Sequence, residues 1–427
     1  MRVGRSLPPA AAPIGLRQLA AGFGGMLRGR KALERFQAEL RSDFGVKHCF
    51  LVNSGKAAFT LVLLALKDLS PGRDEVVIPA FTCYSVPSSV LRAGLKIRLC
   101  DLGQESLDLD FPKLSAMLSA TDKALAVVAT HLYGFPSDLP RVRQLVADGS
   151  VAIVEDAAQA MGETLAGRKL GTLGDVGFLS LGRGKAFSTV EGGVILTDRD
   201  DIAEALRTRL NEVPGYGTWA LLGLITKTVA LMTLIHPLLF WIARALPFLR
   251  LGETLFERNF PILRMSAFQA GLARNWGERL RGMQDARRAN SMQWAAMLKD
   301  LGYGGAGSSR SRLPGLVRYP LRIRDADRRK ALLRESAERG AGIAPAYPES
   351  INRLAELKGE IPAQVCPAAE RCARELVTLP THAYLARGDV AEIRRLLSRA
   401  LAAESHSAAG SRAAVQGSET QSGVKPL

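Results

Sequence analysis

The fold is decided by the stretch 151–198, which begins V-A-I-V-E-D-A-A-Q-A-M-G and ends D-V-G-F-L-S-L-G-R-G-K-A-F-S-T-V-E-G-G-V-I-L-T-D. Val151 to Val154 is a short apolar run with β-branched residues, which is typical of a buried parallel strand. The run ends at two carboxylates, Glu155 and Asp156. Because parallel sheets bind their ligands beyond the carboxyl ends of the strands, these side chains are candidates for a functional site.

A second strand-like run, 176–181, leads to Lys185, and glycines flank this lysine at Gly182, Gly184, Gly192 and Gly193. Glycine lets a backbone pass close to a ligand or adopt a positive φ angle. Pyridoxal phosphate needs a lysine for covalent attachment and an acid facing its ring nitrogen, so Lys185 and Asp156 suit this cofactor. The alternative from these residues alone is a solvated lysine and a helix-capping aspartate beside an ordinary strand.

The order and spacing of the motifs resemble the DegT/DnrJ/EryC1/StrS family of sugar aminotransferases, a branch of the fold-type-I enzymes that use pyridoxal phosphate. The matching motifs are E-D-A-A-Q-A-M-G at 155–162, G-D-V-G-F-L-S at 174–180, Lys185, and E-G-G at 191–193. The resemblance covers about residues 31–401, apart from an apolar insertion. It implies an α/β fold with a mostly parallel sheet in a large domain and a smaller α+β C-terminal domain.

The resemblance also implies roles for particular residues. Lys185 would hold the cofactor and then move a proton between cofactor and substrate carbons. Asp156 would keep the ring nitrogen protonated, and Gln159 would meet the phenolic oxygen of the ring. Ser180, together with the turn 54–57, would bind the cofactor phosphate.

That turn precedes a predicted helix, whose N-terminal N–H groups favour an anion. In the family it usually reads S-G-T; here Ser54, Gly55 and Ala57 match, and Lys56 stands where threonine is usual. Lys56 would either add positive charge to the phosphate site or point into solvent. The amides do not depend on that side chain, so we expect the phosphate site to be retained.

Two further residues are candidates for the cofactor pocket. The family carries an aromatic residue that stacks on the cofactor ring after the predicted strand 75–79; alignment places Cys83 there, with Tyr84 next to it. Tyr84 is the candidate for the stacking face, and the alternative is that it packs the core. His131 follows the predicted strand 124–130 in the typical sequence H-L-Y-G, and it either lines the pocket or is structural.

The substrate contacts are less well marked. Arg183 adds a cation in G-R-G-K, near the place where the family more often has histidine. Arg264 lies in N-F-P-I-L-R-M, which resembles the N-Y-R-M of the family, although the asparagine position is occupied by Ile262. Arg183 and Arg264 are therefore the candidate substrate-binding residues.

Composition limits the other classes of function. The chain has 427 residues, a formal net charge of +16 and five cysteines, without a C-x-x-C pair. We therefore expect neither a disulfide framework nor a metal site, and a cytoplasmic location. The basic residues are scattered without a nucleic-acid-binding signature, so nucleic acid is not an expected partner.

An insertion at 213–258 departs from the family pattern, and its segment 219–251 is strongly apolar. A membrane-spanning helix needs roughly 20 apolar residues, but Lys227 lies in the uninterrupted part and Pro237 and Pro247 break the remainder. The sequence predicts two apolar helices that lie on the inner face of a membrane or form a lid. The alternative is an enlarged subunit interface.

The remaining boundaries follow from composition. We expect a loosely packed N-terminal arm over 1–30, a large domain over 31–301 and a small domain over 302–401, with a hinge at 302–314. The segment 402–427 is rich in Ser, Ala, Gly and Gln and is predicted to be disordered.

The resemblance predicts amino transfer from glutamate or glutamine to a nucleotide-linked keto-sugar, for polysaccharide or glycoconjugate synthesis. It also implies a homodimer with active sites at the subunit interface. The first alternative is a sugar dehydratase with the same cofactor; family dehydratases replace the lysine by histidine, and Lys185 argues against this. The second is a non-catalytic, membrane-associated regulatory protein, which would have no need to keep Asp156, Gln159 and Lys185.

Overall fold

The computed structural model describes residues 4–146, 149–245, 255–303 and 313–402. The strands of its larger part are β1 (His48–Val52), β2 (Glu75–Pro79), β3 (Lys96–Cys100), β4 (Ala124–Thr130), β5 (Ala152–Asp156), β6 (Thr164–Leu165), β7 (Arg168–Lys169), β8 (Val176–Ser180) and β9 (Gly193–Thr197). Within the described residues, seven of them form one sheet in the order β1-β9-β8-β5-β4-β2-β3. The pair β6 and β7 forms a separate hairpin.

The middle of the large sheet is parallel. Strand β4 pairs in parallel with β2 and β5, β2 with β3, and β5 with β8. Only β9 runs against its neighbours, β8 and β1. The prediction of an α/β fold with a mostly parallel sheet is confirmed.

Helices cover both faces of this sheet. They are α1 (Leu16–Arg28), α2 (Arg30–Phe44), α3 (Gly55–Leu69), α4 (Ser85–Arg92), α5 (Phe111–Ser119), α6 (Leu139–Leu145), α7 (Asp200–Asn211), α8 (Thr218–Leu234), α9 (Phe240–Ala245), α10 (Ala267–Leu272) and α11 (Trp276–Asp300). Strand β4 contributes side chains to two apolar clusters: Ala126 and Val128 pack in one, and Val127 and Ala129 pack in the other. Successive side chains of a strand point to opposite faces, so a strand buried on both sides must be apolar throughout.

The positions at which the central strands begin and end determine where the carboxylates of Glu155 and Asp156 lie. Strands β2 and β4 begin and end where the sequence predicts. Strand β5 begins one residue later than predicted and continues through Glu155 and Asp156. The backbone of Asp156 is paired with Thr130 on one side and Phe178 on the other. Both carboxylates are thus fixed within the sheet rather than carried by the following loop.

A smaller antiparallel sheet follows the 25-residue helix α11. Its strands are β10 (Tyr319–Arg322), β11 (Ala344–Pro345) and β12 (Leu376–Leu379), in the order β10-β12-β11. Helices α12 (Ala326–Arg339), α13 (Pro367–Glu375) and α14 (Arg387–Leu401) accompany it. The division into domains stays a prediction. Most of the predicted hinge and all but the first residue of the predicted tail lie outside the described residues.

The prediction of a loosely packed N-terminal arm is wrong. Leu7 and Ile14 are buried, and α1 packs directly against α10. The contact depends on small residues: a methyl group added at Gly22 would lie 2.7 Å from the Phe268 ring. Glycines carry no apolar signal, so the sequence pattern does not reveal this close helix contact.

The apolar insertion contains two helices, α8 and α9, as predicted. Leu224 of α8 is buried in a small cluster with Ile14 and Phe268, so one face of the helix packs against the N-terminal segment and α10. On the other face, Trp219 is 84% exposed and Leu222 is 51% exposed. In the part of the chain that the structure describes, no helix is both long enough and apolar enough to cross a membrane.

Candidate active site

The central pair of the site is Asp156 and Lys185, which the sheet brings together. Asp156 is only 6% exposed, and its Oδ1 accepts a hydrogen bond from the Ala158 N–H (3.1 Å). Burial raises the pKa of Asp156, and the positive charge of Lys185 acts in the opposite direction. The lysine is therefore close enough to interact electrostatically with the buried carboxylate.

Arg287 of α11 binds the backbone of the loop that carries Lys185. The sequence analysis did not identify this residue. The guanidinium donates hydrogen bonds to the carbonyl oxygens of Lys185 (3.1 Å), Ala186 (2.6 Å) and Ala11 (3.1 Å). Burial lowers the pKa of Arg287 to about 10. Gly184 has a φ of +71°, a conformation that glycine adopts readily. The signal for Arg287 was its spacing from the buried Trp294, seven residues along the same helix face.

Gln159 is held in one orientation by two other residues. Its Oε1 accepts a hydrogen bond from the Tyr133 N–H (3.0 Å), and its Nε2 donates to the Tyr347 hydroxyl (2.8 Å). Tyr347 follows β11 and was missed by the sequence analysis, because nearly two hundred residues separate it from Gln159. The structure therefore links the smaller sheet to the motif after β5.

The predicted phosphate turn forms the N-terminus of α3. Ser54 caps the helix, because its hydroxyl accepts a hydrogen bond from the Ala57 N–H (3.1 Å). Among the described residues, the N–H groups of Gly55 and Lys56 have no hydrogen-bond acceptor. A methyl group at Gly55 would lie 2.8 Å from Cβ of Ser180, so the glycine lets the turn approach the end of β8. The open N–H groups of Gly55 and Lys56 and the Ser180 hydroxyl thus lie close together.

The Lys56 side chain takes neither of the two positions left open by the sequence. Its ammonium pairs with the Glu257 carboxylate and lies 4.7 Å from the centre of the Phe260 ring. Glu257 lies about two hundred residues further along the chain. The side chain is therefore engaged with the end of the insertion, and only its backbone N–H remains directed to the turn.

The environment of Tyr84 corresponds to the core-packing alternative. Its hydroxyl donates to the carbonyl oxygen of Glu349 (3.1 Å) and accepts from the N–H of the same residue (2.7 Å). Only 4% of Tyr84 is exposed, which leaves little ring face for stacking. The stacking role of Tyr84 stays a prediction. Cys83, at the aligned position, is half-buried.

His131 lies beneath the site as part of a buried pair. Its Nε2 is 2.9 Å from Oε2 of Glu155, and its Nδ1 accepts a hydrogen bond from the Ser137 N–H (3.1 Å). Both ring nitrogens are therefore used, and the structural alternative describes His131 better than pocket lining. Burial alone raises the pKa of Glu155, but the hydrogen bonds from His131 and from the N–H groups of Gly171 and Gly174 outweigh it and lower that pKa.

The two candidate substrate residues are exposed. Arg183 lies two residues before Lys185, and its side chain has no partner among the described residues. Arg264 donates its backbone N–H to the carbonyl oxygen of Pro214 (2.8 Å), and it pairs with Val52 at the end of β1. Arg183 thus lies in the lysine loop, and the backbone of Arg264 lies beside the end of β1, just before the phosphate turn. Within the described ranges, no group of three or more His, Cys, Asp or Glu side chains could hold a metal ion.

The sequence profile of the DegT/DnrJ/EryC1/StrS aminotransferase family matches residues 19–218 and 258–398. The chain belongs to this family. The unmatched part between the two ranges coincides with the apolar insertion. Helix α9 and all of α8 except Thr218 therefore lie outside the residues that the family profile matches.

Individual relatives in this family differ in activity. The GDP-perosamine synthase of Caulobacter vibrioides is 36% identical over 177 residues, which cover 40% of this chain and 47% of that protein. The GDP-4-keto-6-deoxy-D-mannose 3-dehydratase of Yersinia pseudotuberculosis is 28% identical over 180 residues, or 41% of this chain and 45% of that protein. The chain spans about half the length of these curated relatives.

Solved structures of the family share the fold. Helicobacter pylori PseC, an aminotransferase involved in the biosynthesis of pseudoaminic acid, superposes with a TM-score of 0.74 at 15% sequence identity. The superposition covers 93% of this chain and 100% of PseC. At this identity the likeness establishes the fold type and leaves the reaction to be argued from the site.

Proposed function

We propose that this chain is a pyridoxal-phosphate-dependent aminotransferase that moves an amino group from glutamate or glutamine to a keto-sugar. The observation that carries the proposal is that the paired strands β5 and β8 bring buried Asp156 and the loop with Lys185 to the same edge of the sheet. The nucleotide-sugar names of relatives support a nucleotide-linked sugar, used in polysaccharide or glycoconjugate synthesis.

The residues present fit the cofactor. Asp156 is a buried carboxylate beside a lysine, and the N-terminus of α3 offers open N–H groups against Ser180. Such a helix terminus suits a phosphate dianion. Gln159 is fixed between Tyr133 and Tyr347 with an amide directed by hydrogen bonds on both sides. Pyridoxal phosphate, when bound, supplies an aldehyde that condenses with amines and a ring that accepts electrons.

Lys185, Arg287 and Asp156 would each have a separate role in the reaction. Lys185 would hold the cofactor. It would then take a proton from the donor carbon in the first half-reaction and give a proton to the sugar carbon in the second. Arg287 would keep the loop in place while this lysine moves, since it binds the backbone and not the ammonium group. Asp156 would hold the ring nitrogen proton from a buried, water-poor position, where charge interactions are strong.

Two alternatives are weaker. A sugar dehydratase would use the same cofactor, and the family includes one among the relatives above. Family dehydratases carry histidine in place of the lysine, which disfavours this reading for a chain with Lys185. A non-catalytic regulatory protein would have no reason to keep an acid buried at an energetic cost beside a lysine.

The experiment that tests the proposal is mass spectrometry of the ligands released from purified protein, together with an absorbance scan. We expect pyridoxal phosphate or its amine form, and a shift between their absorbance bands when L-glutamate or L-glutamine is added. Amination of a nucleotide-linked keto-sugar by the amine form completes the test. A protein that binds no such cofactor after incubation with it would contradict the proposal.

The proposed assembly is a homodimer, the arrangement that family membership suggests. The exposed positions of Arg183 and Arg264 at the site edge are compatible with contact to a substrate held between subunits. The proposed location is the cytoplasm, with peripheral contact to the inner face of a membrane. The proposed membrane contact rests on the insertion.

The membrane contact is supported by the exposed face of the α8–α9 segment. Its large apolar side chains are uncovered in the described chain: Trp219, Leu222, Val229, Leu238 and Leu239. Lys227, which would oppose insertion into lipid, is paired with Glu191 (2.7 Å). An interfacial helix needs such an apolar face, and net positive charge favours anionic headgroups.

We expect the double variant Trp219→Glu/Leu222→Glu to lose binding to vesicles that contain phosphatidylglycerol. Both side chains are exposed, so the fold has little reason to change. Vesicle flotation measures the loss, and size-exclusion chromatography reports the oligomeric state. The matched control is Met292→Glu/Val365→Glu, which adds the same charge at exposed apolar residues elsewhere.

Each outcome separates the interpretations of the insertion. Loss of flotation in the first variant alone supports membrane contact. Loss of the dimer in that variant, with no vesicle binding by the wild type, assigns the face to the subunit interface. If the wild type neither floats nor depends on this face for dimerisation, both interpretations fail.

A further inference from the structure

A short turn closes the lysine loop, residues 182–188. The loop begins after Leu181, which follows β8, and returns through the turn 189–192 into β9. The Thr189 N–H donates to the carbonyl oxygen of Leu181 (3.0 Å), and the Leu181 N–H donates to that of Gly192 (2.8 Å). These two bonds join the ends of the loop, so the conformation of the turn determines how the loop leaves the sheet.

The turn contains a residue in a strained conformation, Val190. Its φ is +73°, in the left-handed region, where a β-branched residue is an outlier. Such a conformation persists only where the surrounding structure enforces it, often at functional sites. Val190 is also only 2% exposed, so the residues packed around its side chain are the ones that hold it in place.

The residues around Val190 include helix α8 of the insertion. Val190 belongs to a small buried cluster with Leu224 of α8, Ile14, Phe268 and Leu272. Leu224 lies in the part of the chain that the family profile does not match. Burial of the Val190 side chain in this cluster is favourable and offsets the cost of its backbone conformation.

The next residue of the turn, Glu191, is also tied to the insertion. Lys227 of α8 forms an ion pair with its carboxylate (2.7 Å), and the Tyr216 hydroxyl donates to the same group (3.4 Å). The Glu191 carbonyl oxygen accepts a hydrogen bond from the Gln269 side chain (2.9 Å). Because the Lys227 side chain is 64% exposed, the ion pair contributes little on its own. The buried cluster is therefore the stronger contact between α8 and the turn.

We propose that α8 is a positioning element for the reaction: through Leu224 and Val190 it holds the turn 189–192 in its strained conformation and thereby sets the position of Lys185. This inference rests on the proposed role of Lys185 and is independent of any contact that α8 makes with a membrane. A displacement of a reacting group by about 1 Å can lower a rate by about 100-fold. The insertion is thus required for turnover as well as for any contact of its outer face.

The decisive comparison is between Val190→Gly and Val190→Ala. Glycine adopts a positive φ without strain, so the turn should keep its conformation in Val190→Gly. Alanine retains the strain and loses most of the packing that offsets it, so the turn should rearrange in Val190→Ala. We expect the turnover of Val190→Ala to be about tenfold below that of Val190→Gly. The KM for the amino donor should be alike in both, because Lys185 transfers a proton and does not determine donor affinity.

A role in packing alone predicts the reverse order. Glycine leaves the larger cavity at a buried position, so Val190→Gly would then be the more damaged of the two variants. The ranking of Val190→Gly and Val190→Ala therefore separates positioning of the turn from simple filling of space.

Hydrogen exchange tests the contact with α8 in the cofactor-free protein. In Leu224→Ala, exchange in the peptide 181–192, measured by mass spectrometry, should quicken about tenfold, because the turn opens locally. The matched control is Leu332→Ala, which removes a similarly buried leucine from α12 and should leave this peptide unchanged. In a Val190→Gly background, Leu224→Ala should quicken the exchange by no more than about twofold, since the turn no longer has to be held.

The outcomes distinguish this inference from the function on which it rests. Unchanged exchange of the turn in Leu224→Ala, or slower turnover in Val190→Gly than in Val190→Ala, would overturn the positioning role. Equal exchange in Leu224→Ala and Leu332→Ala would also overturn it, because it would show a general loss of stability. If Lys185→Ala keeps full turnover, the proposed function fails, and the exchange experiment still decides whether α8 holds the turn.

Discussion

Replacement of Lys185 by alanine should abolish amino transfer and the covalent attachment of the cofactor. The side chain would lose both its bond to the cofactor and its proton-carrying amine, so we expect turnover to fall by about 10⁴-fold or more. Steady-state amination of a keto-sugar nucleotide measures the rate. Borohydride reduction followed by peptide mass spectrometry locates the attached cofactor in the wild type, where we expect it on Lys185.

The fold should survive this change. The backbone of Lys185 is held by Arg287, and its side chain makes no hydrogen bond with another described residue. Circular dichroism and thermal unfolding should therefore match those of the wild type. Lys299→Ala, which removes an exposed lysine at the end of α11, is the matched control and should keep full activity. A borohydride-fixed cofactor in Lys185→Ala equal to that of the wild type would refute the assignment.

The parts of the fold that the sequence predicts well are those where local pattern and burial agree. Strand β4 is apolar throughout because it is covered on both faces, and its bounds are predicted correctly. The same reasoning finds β5 and hence the edge at which Asp156 emerges. Asp156 and Lys185 are predictable together because each follows such a buried strand, and parallel strands deliver their carboxyl ends to one edge.

The missed features depend on residues far apart in the chain. The sequence does not reveal that the Tyr84 hydroxyl is hydrogen-bonded to the backbone of Glu349, 265 residues further along the chain. Lys56 is drawn away from the phosphate turn by Glu257, which lies in an insertion that the family pattern does not contain. Local sequence carries no information about either partner, because both contacts are made only when distant segments pack.

A different limit applies to α1. Gly22 and Gly25 form its buried face, so the contact with α10 is made by residues that lack side chains. Hydrophobic periodicity detects helices that bury large apolar groups, and this helix leaves Leu16, Phe23 and Leu27 exposed. The pattern of apolar residues therefore marks the outward face of α1, which is why the segment reads as a loose arm.

The second large effect is expected from Asp156→Asn, where activity and stability should move in opposite directions. Asparagine has nearly the same shape, and its carbonyl oxygen can still accept from the Ala158 N–H. Its amide is neutral and cannot hold the proton on the ring nitrogen. We expect turnover to fall by about 10³-fold, the scale of removing one partner of a buried charge pair, while some cofactor still binds.

In the cofactor-free chain the same substitution should raise the thermal midpoint at neutral pH. Burial raises the pKa of Asp156 in the folded state above its unfolded value. The stability contributed by this group is therefore present at acidic pH and is lost as the pH rises through the folded pKa, so at neutral pH Asp156 disfavours folding relative to a neutral side chain. Asparagine removes that cost, and the gain should vanish at acidic pH, as calorimetry across pH would record. Asp327→Asn, at an exposed carboxylate, should change neither property. Full activity in Asp156→Asn would remove the residue from its proposed role, whereas reduced activity without the pH-dependent gain would leave the role and refute the burial argument.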